Sequence, residues 1–90
     1  MWKIRLPPEK ASQSGPVMIG FLAATPNFKH IIEIEDLQSM DSVRLTNPDL
    51  GTLKVLNSNT ILFETNATQG SGHINVYCGL QVLVISVKRR

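Results

Sequence analysis

The sequence has one cysteine, Cys78, so no disulfide can form within the chain. Nothing in its thiol content therefore points to an oxidising compartment. Charge is also sparse: 18% of residues are Asp, Glu, Lys or Arg, below the usual quarter. Aromatic residues number only five: Trp2, Phe21, Phe28, Phe63 and Tyr77. Tyr77 alone falls on a clearly polar face, with His73 and Asn75, and the other aromatics read as mostly core. That is thin for a surface that stacks bases. The longest apolar run, Val17 to Ala24, is far short of the roughly 20 residues a membrane helix needs. No charged segment immediately precedes it, so a signal peptide is not expected. A cytoplasmic or virion-associated setting is the expectation that remains.

Motifs that would carry chemistry are missing too. His30, His73 and Cys78 are the only soft or borderline metal ligands. His73 and Cys78 are an odd number of steps apart along one strand and so point to opposite faces. Neither a metal nor a cofactor is expected. A nucleophilic pair would need His30 beside Cys78 across strands. The alternation instead gives Cys78 a small-hydrophobe role and His30 a place at the core edge. Gly70-Ser71-Gly72 is followed by a strand, whereas phosphate loops need a helix start or aligned amides. It reads as part of a flexible loop from Asn66 to Gly72. Glu33 and Glu35 share a strand face that reads as solvated, and no partner acid can be named. Asn66-Ala67-Thr68 matches the glycosylation triplet, which matters only in a secreted eukaryotic protein. The expectation is a protein that is not an enzyme.

What the chain does have is period-two alternation. Trp2-Lys3-Ile4-Arg5-Leu6 alternates apolar with basic residues, as in a strand with one buried face. Pro7 and Pro8 end it, and Glu9 to Pro16 reads as a polar loop. Phe28 to Glu35 alternates, with Phe28, His30, Ile32 and Ile34 on one face. Asp36 to Asp41 is the one stretch where a helical turn is plausible. Ser42 to Thr46 resumes the pattern, with Val43 and Leu45 inward. Turn chemistry follows at Asn47-Pro48-Asp49-Leu50-Gly51. Thr52 to Leu56 and Thr60 to Thr65 flank Asn57-Ser58-Asn59 as a hairpin. His73 to Cys78 alternates with Ile74, Val76 and Cys78 inward, and Leu80 to Lys88 is the most β-rich stretch. Residues 1–90 form one domain with no internal repeat. The fold class expected is all-β: a small antiparallel β-sandwich or compact β-barrel of about seven to eight short strands.

Two surface features stand out. Val17 to Ala24 is apolar in both phases: Val17, Ile19, Phe21 and Ala23 fall on one face, Met18, Leu22 and Ala24 on the other. A strand needs only one apolar face in a small sandwich. Val17, Met18, Ile19, Phe21 and Leu22 are therefore candidates for a protein interface, in a homo-oligomer or with a partner protein. Second, the cations lie at the two ends of the sequence. Lys3, Arg5, Lys88, Arg89 and Arg90 would make one basic patch if the first and last strands were neighbours. Glu33, Glu35, Asp36 and Asp41 would then form an acidic pole. The function expected is a structural or interaction subunit of a larger assembly, such as a viral or phage particle component. The alternative is a small β-barrel that binds nucleic acid through the basic ends.

Overall fold

A computed structural model describes residues 1–6 and 14–89. The stop at Pro7 and Pro8, most of the polar loop after it, and Arg90 lie outside the described residues. Among the described residues there are eight strands: β1 (Trp2–Arg5), β2 (Gly15–Ala24), β3 (Lys29–Glu35), β4 (Ser42–Leu45), β5 (Gly51–Asn57), β6 (Thr60–Thr65), β7 (Gly70–Cys78) and β8 (Gln81–Arg89). They form two four-stranded sheets packed together, ordered β1-β3-β6-β5 and β2-β8-β7-β4. The all-β sandwich follows from the alternation: each strand sends one face inward. Ile32 and Ile34 of β3, Ile61 and Phe63 of β6, Ile74 and Val76 of β7, and Leu83, Ile85 and Val87 of β8 are all buried in one core.

Local turn chemistry sets the hairpins. Asn57 accepts a hydrogen bond from Asn59 N through Oδ1 at 3.1 Å, which tightens the β5–β6 turn. Gly79, at φ +62°, turns β7 into β8, and its N–H donates to Asp41 Oδ2 at 2.8 Å. Asn47 Oδ1 caps a short 3-10 turn, Pro48–Leu50, by accepting from Asp49 N.

Several details depart from the sequence reading. Asp36 to Asp41 is not helical; the one short helical turn among the described residues is Pro48–Leu50, where proline and an Asn cap favour it. Gly70-Ser71-Gly72 is strand rather than loop, because it pairs in register with Val87, Lys88 and Arg89. In each sheet one edge strand runs parallel to its neighbour, β1 beside β3 and β2 beside β8. Alternation does not encode strand direction, so it could not show this. Of the five aromatics only Phe63 is fully buried, while Phe21 and Phe28 are more than half exposed.

The largest correction concerns β2. Its register against β8 shifts between Met18 and Gly20, leaving Ile19 as the extra residue of a bulge. The phase of alternation reverses there. Val17 before the bulge and Leu22 and Ala24 after it all point into the core. Met18, Phe21 and Ala23 point outward instead. Gly20 faces the β1 side chains of the other sheet: a Cβ there would collide with Ile4 Cδ1. The strand is thus apolar on both faces, and its inner face changes phase at the bulge.

Candidate functional site

The outer face of the second sheet is read from its registers. In one row across the sheet stand Pro16, Val82, Tyr77 and Ser42. In the next stand Met18, Val84, Asn75 and Arg44. Phe21, Ser86 and His73 form the third, and Ala23, Lys88 and Ser71 the fourth. An apolar centre of Met18, Phe21, Val82, Val84 and Tyr77 is therefore continuous across three strands. Met18 is 48% exposed and Phe21 57%. Strands β2, β4, β7 and β8 contain no acidic residue, and the two cations on this face, Arg44 and Lys88, lie at its margins.

Of the five interface candidates, Met18 and Phe21 lie on this face. Val17 and Leu22 do not: both are buried in the chain's own core. Ile19, the bulge residue, is half-buried against that core. Val82, Val84 and Tyr77 join the face from β7 and β8. They were readable as the outward phase of their own strands, but not as neighbours of β2.

The basic residues are not brought together. Lys3 and Arg5 lie on the outer face of the first sheet, opposite Glu33 and Glu35 in the β1–β3 register. Lys3 Nζ stands 3.8 Å from Glu33 Oε2, and Arg5 Nε 3.8 Å from Glu35 Oε2. The expected basic and acidic poles thus meet within the chain. Lys88 belongs to the other sheet's outer face, and Arg89 is buried. Arg90 lies outside the described residues.

The residues weighed for chemistry are also dispersed. His30 is on β3 in the first sheet and Cys78 on β7 in the second. The His30 ring packs 4.8 Å from Phe28 and 6.0 Å from Phe63, centroid to centroid. Thr25 N donates to His30 Nε2 at 3.1 Å. Cys78 is half-buried rather than fully buried; burial pushes its thiol pKa up, and the nearby Asp41 carboxylate adds to the rise. Asn66 is held on both sides of its amide, donating to Asp49 O at 2.8 Å and accepting from Thr68 N at 2.8 Å. A shallow cavity of about 240 Å³ lies by Asn27, Phe28, Lys29, Glu64 and Thr65, in the open. Among the described residues no group of three or more His, Cys, Asp or Glu is placed to hold a metal ion, and no helix is long and apolar enough to cross a membrane.

Fold and face together define a two-sheet β-sandwich with one outer face of mixed charge and one with an apolar centre and cations at its margins. The sequence matches no protein-family model and no curated protein.

Proposed function

We propose that this chain is a non-enzymatic interaction subunit that docks through the outer face of the β2-β8-β7-β4 sheet. The supporting observation is the pair of exposed side chains Met18 and Phe21 beside the half-buried Val84, on a sheet whose strands carry no acidic residue. Covering such a face stabilises by about 25 cal/mol per Å² of apolar area removed from water. Little charge has to be desolvated in the process. Self-association or a protein partner in a larger assembly, such as a viral or phage particle, is the role this fits. A cytoplasmic or particle-associated location goes with it.

Light scattering from low to high micromolar concentration tests the self-association half. The unmodified chain should grow in mass, and Val84→Glu should return it to a monomer with unchanged thermal unfolding. A wild-type chain that stays monomeric throughout, and a Val84→Glu chain no more soluble than wild type, would remove the support for this face.

A second reading, nucleic-acid binding, keeps one observation in its favour. Phe21 and Tyr77 share the outer face with Arg44 and Lys88, and the strands of that sheet carry no carboxylate. Single-strand binders combine such aromatics with cations. Low-salt titration with a fluorescent single-stranded oligonucleotide separates the two readings. Saturable binding lost in Phe21→Ser and Lys88→Gln would favour this one, whereas no binding at low salt would end it.

A further inference from the structure

Three polar residues are buried among those described: Thr60, Thr65 and Arg89. The threonines are satisfied. Thr60 Oγ1 donates to Asn59 Oδ1, and Thr65 Oγ1 accepts from Phe28 N and bonds back to the Thr25 carbonyl. Arg89 is different. It extends the inward stripe Leu83, Ile85 and Val87 of β8 and is only 4% exposed. A guanidinium carries five N–H donors and no acceptor. Nη2 donates to Ala67 O at 3.1 Å, while Nε and Nη1 have neither a partner nor contact with solvent. The two ion pairs among the described residues both use acids of the first sheet's outer face, so neither serves Arg89. A charge this deeply buried is ordinarily paired.

The residues that flank Arg89 in the sheet are small. Arg89 stands opposite Ala24 on one side and Gly70 on the other. The carbonyl it does bind belongs to another small residue, Ala67. Its cover is the exposed turn Asn66–Gln69, which belongs to no strand and is folded on itself by the Thr68 N to Asn66 Oδ1 bond. Asn66 itself is anchored, donating to Asp49 O and Leu50 O and accepting from Asn27 N, so the part that can move aside without breaking a ladder is Ala67–Gln69. The Asn47 side-chain amide lies just beyond Gly70, 3.5 Å from where a Cβ would sit.

We propose that Arg89 is the floor of an oxyanion site at this end of the sandwich, closed by the Asn66–Gln69 turn. The ligand class is a carboxylate or a phosphate-type anion. A planar guanidinium fork matches the spacing of oxygens on one centre, which a halide does not offer. The site faces inward, so it is independent of the docking face proposed above.

The test is a titration of the full chain with phosphate, acetate and chloride at constant ionic strength. It is read by thermal unfolding and by the Arg89 Nε–H resonance. Binding to the folded state alone raises the melting temperature in a saturable way. The expected result is a rise of a few degrees with an oxyanion but not with chloride, with a saturable shift of the Nε–H signal. Arg89→Met should abolish the rise. If that variant does not fold, Arg89→Lys, which keeps the charge and loses the fork, should weaken the response at least tenfold. A response to phosphate alone assigns a phosphate-type ligand; one to acetate as well assigns the carboxylate class, including a carboxylate on another chain. An Nε–H signal unmoved by either oxyanion, or an equal rise in Arg89→Met, overturns the site.

Discussion

The two outer faces of the sandwich are built on the same fold and differ in nearly everything else. On the first sheet, Lys3 and Arg5 meet Glu33 and Glu35, and Lys29 stands opposite Glu64. Opposite charges facing each other across strands hold register and stay wet. On the second sheet the same positions carry Met18, Phe21, Val82 and Val84, with no acid on any strand. On the first face Lys3 and Arg5 already have acidic partners within the chain. On the second, the apolar centre gains most by being covered. A composition with little charge thus conceals an uneven division of it.

The sharpest way to break this contrast is to make one substitution on both sides of the second sheet's neighbourhood. Phe63→Ala removes a fully buried ring from the shared core and should cost about 3–5 kcal/mol in urea unfolding. Phe21→Ala, on the outer face, should change stability by no more than about 0.5 kcal/mol. Comparable losses would mean that Phe21 is covered by the chain itself. Gly20→Val comes next. Its side chain would strike Ile4 where the sheets approach, costing about 1–3 kcal/mol by overpacking. A neutral result would show that the Ile4 side chain can turn aside there.

Smaller effects are expected on the charged face. Glu33→Gln should lower stability by less than about 1 kcal/mol, because Lys3 is well exposed and the separation is long. That small loss should vanish in high salt; a large, salt-insensitive loss would mean the first face is held by more than solvated pairs. The smallest effect concerns reactivity. Since burial and Asp41 raise the Cys78 pKa, the thiol stays protonated to higher pH than an ordinary cysteine. Labelling by a thiol reagent should be slow at neutral pH and accelerate only in more alkaline solution. Asp41→Asn should shift that profile toward lower pH, and an unshifted profile would discount the carboxylate.

Strand content was legible because each strand keeps one apolar phase, and the Asn57–Asn59 hairpin was legible from its turn residues. The outer face was only partly legible. Met18 and Phe21 drew notice, but β2 is apolar in both phases, so nothing in the residues themselves located the bulge at Ile19. Val82, Val84 and Tyr77 became part of the face through strand pairing, which depends on packing between distant segments. The basic patch failed for the same reason: which strand Lys3 and Arg5 lie beside is decided by the core, not by their position near one end. Arg89 had a signal that was overlooked. Counting by twos from Leu83 places it inward, although a run of Lys and Arg reads as a solvated tail.

The order of the strands also has a bearing on how the protein comes to exist. From β1 to β5 successive strands alternate between the sheets, and only β5–β6 and β7–β8 pair with an immediate neighbour in sequence. The second sheet joins β2 to β8, so residues 15–24 wait for residues 81–89 before they have a ladder partner. Folding dominated by such distant pairing is slow, since loop closure precedes the contacts that reward it. During synthesis, the apolar strand that later presents Met18 and Phe21 stays unpaired until nearly all the other strands have emerged from the ribosome.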